Sequence, residues 1–251
     1  MFLEDCEILE NICISDNNFL MRVLSTKAIK HSKAGQFFML KSNTYLRRPI
    51  SLYYMTDNTL EFYYHIKGSG TKYISKLKSG DIINIQGPLG NGFDTNIENK
   101  NILLIAGGVG IAPMKLLIEK LLEKNNKITF IAGGSNSGSV SILKFFNFDS
   151  INTFICTDDG SVGEKLNTVQ KFRSILDYNK FDRVYTCGPT IMMNLVSKIA
   201  VENNIECYAS LENMMACGVN VCLGCSIKTN IGQKKVCYDG PVFNSKDLIL
   251  E

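Results

Sequence analysis

Four cysteines near the end of this 251-residue sequence restrict its structure more than any other feature. They follow the spacing C-x4-C-x2-C-x11-C, at Cys217, Cys222, Cys225 and Cys237. This spacing has the form of plant-type [2Fe–2S] sites, in which a loop wraps around the cluster and directs several thiolates inward. Gly218 and Gly224 supply positions in that loop where a side chain would obstruct the turn. The sequence therefore predicts a [2Fe–2S] cluster in a small C-terminal domain.

A structural zinc site is the alternative, because four thiolates also suit zinc. Zinc sites usually use two separated C-x2-C pairs, whereas this sequence has one such pair. The N-terminal segment MFLEDCEILE lacks the positive charge and apolar stretch of a secretion signal, so we expect a cytoplasmic protein with reduced thiols. The other five cysteines lie mostly in apolar runs that predict burial: Cys6, Cys13, Cys156, Cys187 and Cys207.

The charge balance excludes two classes of partner. With 27 basic and 24 acidic side chains the net charge is +3, which is too small to indicate binding to nucleic acid or to a membrane surface. The longest apolar span, residues 102–122, is interrupted by glycines, by Pro113 and by charged side chains. We therefore expect no transmembrane helix.

The spacing of apolar residues divides the chain into three predicted domains. Residues 1–97 contain short strands separated by turns and predict a Greek-key β-barrel. Repeated strand, loop and helix units over residues 98–208 predict a doubly wound parallel sheet, and residues 209–251 form the cysteine-rich domain. Within the barrel, residues 50–55 and 60–67 predict a hairpin. Alternation in its second strand predicts one face in the core and one face free to meet a ligand.

Three glycine-bearing loops follow strands that we expect to end at the same sheet edge. AGGVGIAP at residues 106–113 would let backbone approach a pyrophosphate at a helix N-terminus. TDDGSVG at 157–163 and CGP at 187–189 complete a predicted dinucleotide crevice. Residues 134–143 contain no arginine or lysine, which favours NAD over NADP. The predicted NAD-binding residues are Gly107, Gly108, Gly110, Asp158, Gly160, Cys187, Gly188 and Pro189.

Two motifs in the barrel carry groups that suit a flavin. RRPISLYY places Arg48 and Ser51 at the start of a strand, where a cation and a hydroxyl could hold a phosphate and a ring. KGSGTKYISKL adds Gly70 and Thr71 at the start of a short helix. Each motif taken alone is ordinary turn chemistry.

In combination, RPIS, Gly70-Thr71, GGVGIAP and CGP resemble the ferredoxin–NADP reductase superfamily, in which an FAD-binding barrel precedes a nicotinamide-binding domain. With SLENMMACGVNVCLGCSIKT and VCYDGPVF at the C-terminus, the whole chain resembles the electron-transfer subunits of bacterial NAD-dependent dihydroorotate dehydrogenases. The resemblance implies an oxidoreductase subunit of pyrimidine biosynthesis. It would carry electrons from the FMN of a separate catalytic subunit through the cluster and FAD to NAD+, in an assembly of two plus two chains.

The resemblance also assigns residues, with the four cysteines of the opening motif as cluster ligands. It places FAD against Arg48, Pro49, Ile50, Ser51, His65, Ile66, Lys67, Gly70 and Thr71. A solvated strand histidine explains His65 equally well. Cys187 is assigned as a neighbour of the nicotinamide, and no acid–base residue is expected to dominate, because the chemistry belongs to the cofactors.

Two other functions stay open from the sequence. One is a flavin and iron–sulfur subunit of a bifurcating NAD(P) transhydrogenase or a sulfhydrogenase, because such subunits also join a reductase to a cysteine cluster. The other is a zinc-stabilised, nucleotide-binding interaction module with no enzymatic activity.

Overall fold

The first part of the chain is a closed, six-stranded antiparallel barrel in a computed structural model that describes residues 1–15 and 17–250. The barrel strands are β1 (Phe2–Ser15), β2 (Asn18–Leu24), β3 (Phe37–Leu40), β4 (Arg48–Met55), β5 (Thr59–His65) and β6 (Ile82–Leu89). Their order around the barrel is β1-β2-β5-β4-β3-β6, so the connections from β2 to β3 and from β5 to β6 each pass over two strands. This is the predicted Greek-key arrangement, and β6 closes the barrel against β1.

The predicted hairpin forms, but the two faces of β5 differ from the expectation. Both faces of this strand are buried, including Glu61 at 5% exposed and Tyr63 at 1% exposed. The prediction that this second face would be free to meet a ligand is wrong for these two residues, because Tyr63 packs in an apolar cluster shared with the α/β part and Glu61 pairs with Arg22 of β2. Only His65, at the end of the strand, is exposed. A short helix, α1 (Ser69–Ile74), follows β5.

The second part of the chain is a sheet with helices on both faces. Its parallel strands are β7 (Asn101–Gly107), β8 (Lys127–Gly134), β9 (Asn152–Thr157), β10 (Arg183–Cys187) and β11 (Glu206–Ser210). Its helices are α2 (Met114–Leu122), α3 (Thr168–Leu176) and α4 (Thr190–Glu202), with 3₁₀ helices at Gly108–Ile111 and Ser137–Phe145. Alternate residues of β7 explain the two faces: Leu104 packs in the cluster that includes α2 and the barrel, whereas Leu103 packs with α3 and α4.

The cysteine-rich tail is built into the same sheet. After the hairpin β12 (Ser226–Thr229) and β13 (Gly232–Lys235), a short strand β14 (Val242–Asn244) pairs antiparallel with β11. A 3₁₀ helix at Ser245–Asp247 follows. The sheet order is therefore β14-β11-β10-β7-β8-β9. Across residues 1–15 and 17–250, none of the helices has the length and apolar character needed to span a membrane.

The tail sits in the corner between the barrel and the sheet. An apolar cluster there combines Phe37 and Leu89 of the barrel with Ala209 of β11 and Phe243 of β14. Asn91 adds polar contacts, because its backbone N–H donates to the Gly240 carbonyl at 2.7 Å. The barrel wall and the sheet edge together hold the cysteine-bearing loop in place.

Candidate functional site

Arg48 and Gly70, which the sequence places in separate motifs, are in contact. The guanidinium of Arg48, at the start of β4, donates from Nη2 to Thr44 Oγ1 at 2.8 Å. A Cβ atom at Gly70 would overlap Arg48 Nε, so the approach of the guanidinium to α1 requires glycine at this position. A fixed cation beside a backbone turn suits an anionic phosphate group.

Thr71 organises the turn that carries Gly70. Its buried side-chain oxygen accepts hydrogen bonds from the backbone N–H of Lys67 at 2.9 Å and of Gly68 at 3.3 Å. These bonds fix the backbone ahead of α1. The predicted role of Thr71 in completing the flavin site is therefore compatible with a role in shaping the turn.

The remaining predicted flavin residues lie in β4, at the end of β5 and between β5 and α1. Those that follow Arg48 in β4 are half-buried: Pro49, Ile50 and Ser51. His65 Nδ1 lies 3.0 Å from Asn18 Oδ1, which gives this exposed ring a partner at the barrel rim. Ile66 is half-buried and Lys67 is exposed, between His65 and α1. The structure thus places the Arg48 and Gly70 motifs together and leaves His65 partnered by Asn18.

Two of the three predicted nicotinamide loops touch each other. Strands β7 and β10 are adjacent, so the glycine-rich loop and the CGP segment emerge side by side. A Cβ atom at Gly110 would overlap the carbonyl oxygen of Cys187. One at Gly107 would lie 2.9 Å from Met192 Sδ and 3.0 Å from Pro189 Cδ. The absence of side chains at both glycines therefore permits the close packing of these loops. Gly108 has a φ of +56° with open space around it, and Gly188 has a φ of +151°.

The third loop lies at the same sheet edge but two strands away. Asp158 follows β9, and its backbone N–H donates to the Gly134 carbonyl of β8 at 3.1 Å. Asp158 and Gly160 are exposed, so they face solvent beside the end of β8. The neighbouring Asp159 was missed by the sequence analysis. Hydrogen bonds from the side chain and backbone of Ser161 lower the pKa of Asp159, so a carboxylate is held at this edge.

Cys187 ends β10 as a buried thiol. It is 2% exposed and packs with Ala106 on the sheet face that is turned toward the barrel. Burial raises its pKa, with a smaller contribution from the Glu212 charge, while a hydrogen bond with Ser210 opposes the shift. Cys187 is therefore a neutral thiol beside the glycine-rich loop, at the Gly110 position.

The four clustered cysteines form two pairs of side chains. The backbone N–H of Cys222 donates to Cys217 Sγ, and both side chains are partly exposed. Partial burial would raise the pKa of Cys217, but backbone N–H groups of Cys222 and Val219, at 3.3 and 3.4 Å from its Sγ, outweigh burial and lower the pKa to about 7. These are the N–H groups that the wrapped loop was expected to direct at sulfur.

The second pair, Cys225 and Cys237, is buried. Burial raises the pKa of Cys237 to about 11, and its hydrogen bond with Cys225 adds to the shift. Among residues 1–15 and 17–250, no three His, Cys, Asp or Glu side chains converge closely enough to hold one metal ion. A [2Fe–2S] cluster has two irons that each take two protein ligands, so two thiol pairs match its donor set.

Strand β3 of the barrel supports the cysteine loop. Gly218 has a φ of +67°, and a Cβ atom there would lie 2.8 Å from Met39 Cγ and 3.2 Å from Leu89 Cδ1. Gln86 Nε2 lies 3.5 Å from the Cys217 carbonyl. Glycine is therefore needed at Gly218 both for its backbone angle and for its approach to the barrel.

Sequence relatives match this arrangement from end to end. An electron transfer subunit of dihydroorotate dehydrogenase B (NAD(+)) from Clostridium acetobutylicum is 36% identical over 252 residues, covering 97% of this chain and 96% of the relative. The subunit of the same name from Clostridium perfringens is 39% identical, covering 94% and 96%. Residues 212–249 match the model of the iron-sulfur cluster binding domain of dihydroorotate dehydrogenase B. The chain belongs to this family of electron transfer subunits.

Solved structures agree with the fold. The structure of an NADH-dependent reduced ferredoxin–NADP oxidoreductase, described for flavin-based electron bifurcation, matches with a TM-score of 0.89 and 28% identity, covering 98% of this chain and 90% of that one. A ferredoxin NADP+ reductase from Neisseria gonorrhoeae, with bound FAD and NADP, matches with a TM-score of 0.68 and 17% identity over 80% of this chain and 91% of that one. The second match shows the fold alone.

Family membership confirms the predicted fold class and the predicted class of oxidoreductase subunit. It also confirms, at the level of the family, the prediction of FAD, a [2Fe–2S] cluster and NAD as cofactors. A subunit of this family works with a catalytic partner. The individual cofactor-binding residues and the three domain boundaries stay predictions.

Proposed function

We propose that this chain carries electrons from the FMN of a separate dihydroorotate dehydrogenase catalytic subunit, through a [2Fe–2S] cluster and FAD, to NAD+ in pyrimidine (UMP) biosynthesis. One observation carries the proposal. A reductase-type barrel and sheet are joined to four paired thiols in a chain that aligns over nearly its whole length with relatives of that name. FAD, when bound, supplies the exchange between single electrons and a hydride.

The residues of this chain would bind and position the cofactors. Arg48 would bind a phosphate group of FAD, because its guanidinium is fixed beside the Gly70 turn. The loop at Gly107–Gly110 would receive the pyrophosphate of NAD, with Cys187 beside it at the barrel-facing side. The paired thiols of the tail would hold the cluster, two ligands to each iron.

The packing supports a short path between the cluster and the flavin. Strand β3 separates the cysteine loop from β4, and Met39 of β3 contacts the Gly218 position on one side. The same residue is the register partner of Pro49, within the predicted flavin motif. One strand of the barrel therefore lies between the two predicted sites.

The outer side of the cysteine loop suits contact with a partner subunit. Val221 and Leu223, on either side of Cys222, are 80% and 70% exposed. Exposed apolar side chains beside the half-exposed thiol pair are typical of an interaction site. The partner in the proposal is the FMN-containing catalytic subunit in a heterotetramer of two plus two chains, located in the cytoplasm.

Co-purification with a candidate catalytic subunit tests the proposal. We expect the complex to reduce NAD+ when dihydroorotate is added, and each subunit alone to fail. The visible spectrum of this chain, purified without oxygen, should contain flavin and iron–sulfur bands. A colourless chain that binds one zinc ion would contradict the proposal and would instead support the non-enzymatic nucleotide-binding module.

A bifurcating transhydrogenase subunit is the second candidate function. The match to the NADH-dependent reduced ferredoxin–NADP oxidoreductase, at 28% identity over 98% of this chain, favours it. Curated relatives at 36% and 39% identity favour the dihydroorotate system instead. Ferredoxin-dependent exchange between NADH and NADP+ by the purified complex, without response to dihydroorotate, would support the second candidate.

A further inference from the structure

Lys115 joins the two parts of the molecule that carry the predicted flavin and nicotinamide sites. It is the second residue of α2, the helix that follows the glycine-rich loop. Its Nζ lies 4.5 Å from the ring centroid of Tyr54 and 5.1 Å from that of Tyr53, both in β4. The same ammonium group donates to the Phe145 carbonyl at 2.8 Å, at the end of the 3₁₀ helix after β8. One side chain thus contacts the barrel and two segments of the α/β part.

The surroundings of Lys115 strengthen its contact with the Tyr54 ring. Lys115 is half-buried, and this burial lowers its pKa, although the charges of Glu61 and Glu119 oppose the shift. A cation above an aromatic face is attracted by the ring quadrupole, and desolvation strengthens the attraction. Burial, and after it the nearby Glu119 one helical turn further along α2, raises the pKa of Tyr54 to about 12. Of the two α2 side chains near Tyr54, Lys115 is the one that contacts the ring.

The contact lies between apolar packing and an open cavity: on one side the Phe146 ring packs against Tyr53, with 6.1 Å between the ring centroids. A cavity of about 460 Å³ opens between the barrel and the α/β part, and Lys115 lines it together with Arg22 and Glu61. Arg22 Nε and Glu61 Oε1 pair with each other at 2.8 Å, within the barrel, and do not cross the interface. Lys115 therefore contacts β4 at the edge where this apolar packing ends and the cavity begins.

We propose that Lys115 is a positioning residue for hydride transfer, because it fixes α2 and the glycine-rich loop relative to β4 and its RPIS motif. The inference rests on the proposed function. In the measurable half-reaction, NADH and FAD combine with one proton to give NAD+ and FADH2. The C4–H bond of NADH breaks, and its hydride carries both electrons to the flavin. A small error in the distance between the two rings slows such a step steeply.

Lys115→Met tests the proposal, since it keeps the length of the side chain and removes the charge. Flavin reduction by excess NADH is followed in a stopped-flow instrument, with NADH and with NADH deuterated at C4. We expect the limiting rate to fall about tenfold with an increased isotope effect, while the FAD content per chain stays unchanged. Lys115→Arg should restore most of the rate. Lys120→Met is the matched control, because Lys120 lies on the same helix and pairs with the exposed Glu123 at 2.7 Å.

A second variant keeps the test decisive if Lys115→Met is unstable. Tyr54→Leu removes the ring that Lys115 contacts, and the double variant should be no slower than the slower single variant, because both act through one contact. A wild-type rate in Lys115→Met, or a lower melting temperature with no change in rate or isotope effect, would overturn the inference. Failure of the wild-type chain to bind FAD or to oxidise NADH would instead overturn the proposed function.

Discussion

The predicted flavin region and the cysteine region are held together in different ways. The flavin region is complete within the barrel, since Arg48 is fixed by Thr44 and by its contact with Gly70. The cysteine region depends on the other two parts of the chain. Gly218 packs against Met39 of the barrel, and β14 pairs with β11 of the α/β sheet. A site built from one continuous barrel should survive damage to the tail, whereas the tail should respond to changes in the barrel wall.

The thiol pairs show the same contrast on a smaller scale. Cys217 lies near the surface and accepts backbone N–H bonds, whereas Cys237 lies in an apolar cluster with Val236 and Phe243. The cysteines of this region therefore lie in two environments, one polar and partly exposed and the other apolar and buried. The pair Cys217 and Cys222 lies on the solvent side of the site. The pair Cys225 and Cys237 lies on the side of the barrel wall.

Cys225→Ser should produce the largest effect. Replacement of one buried ligand should remove most of the cluster, because serine is a poor ligand for iron in this setting. NADH oxidation by FAD with an artificial electron acceptor should stay largely intact. Iron and sulfide content, together with the NADH assay, check the prediction. Cys13→Ser is the control, since Cys13 is exposed and lies outside the motif. Equal loss of cluster content and of NADH oxidation would show that the tail and the flavin region are coupled.

Arg48→Ala tests the other side of the comparison. Loss of the guanidinium should weaken FAD binding by about tenfold to a hundredfold, since charge-assisted hydrogen bonds to phosphate contribute about 1.5–3 kcal/mol. Cluster content should stay unchanged. The ratio of flavin to iron in purified protein measures both quantities. Arg47→Ala is the neighbouring control, because Arg47 donates to the Asn84 carbonyl on β6 at 3.1 Å instead. Full FAD retention in Arg48→Ala would show that Arg48 does not bind the cofactor and that the flavin site lies elsewhere.

Much of the fold was predictable because local patterns determine it. The start of α4 (Thr190–Glu202) follows from local sequence, since Pro189 precedes the helix and cannot continue the strand hydrogen bonding. Pairing between distant segments was not predictable. The three residues of β14 carry too little periodicity to indicate that they join the edge of the parallel sheet beside β11.

The candidate site was predictable where chemistry depends on residue type and spacing. The four cysteines and the RPIS motif required no knowledge of the fold. The contact of Gly110 with Cys187 did, because it depends on β7 and β10 being neighbours. Lys115 and Asp159 were missed, since an isolated lysine in a helix and a second aspartate in a loop are ordinary surface residues by sequence. The adjacent carboxylates of the DD pair were the one signal that pointed to Asp159.

Gly218→Ala should have an intermediate effect that sharpens the comparison. The new Cβ atom would lie 2.8 Å from Met39 Cγ. Alanine would also have to adopt a φ of +67°, and we expect a destabilisation of about 1–3 kcal/mol. Cluster content should fall, and FAD content should not. Gly224→Ala is the matched control, because the obstruction predicted there from the sequence does not occur: a Cβ atom at Gly224 has Cys222 Sγ at 3.6 Å as its nearest neighbour. Equal cluster loss in both variants would contradict the role assigned to the barrel wall.

Glu4→Gln should have the smallest effect and should be confined to the barrel. Burial alone would raise the pKa of Glu4, but hydrogen bonds from the backbone of Thr26 and Ala28 and the Ser25 hydroxyl lower it below 4.5. A lowered pKa in the folded state stabilises the protein above the unfolded pKa, and this stability is lost as the pH falls through the folded pKa. The variant should therefore lose about 1–2 kcal/mol of unfolding free energy at neutral pH, and the difference should shrink below about pH 4.5.

Denaturant unfolding at several pH values measures this difference, with Glu7→Gln as the control, since Glu7 is exposed on the same strand. The measurement is made on protein with and without the cluster. Groups in Ser25–Ala28 donate to the Glu4 carboxylate, and all of them belong to the barrel part of the chain. The loss of unfolding free energy should therefore be the same with and without the cluster. A loss that depends on the cluster would show that barrel stability and tail stability are linked, which would remove the distinction between the two regions.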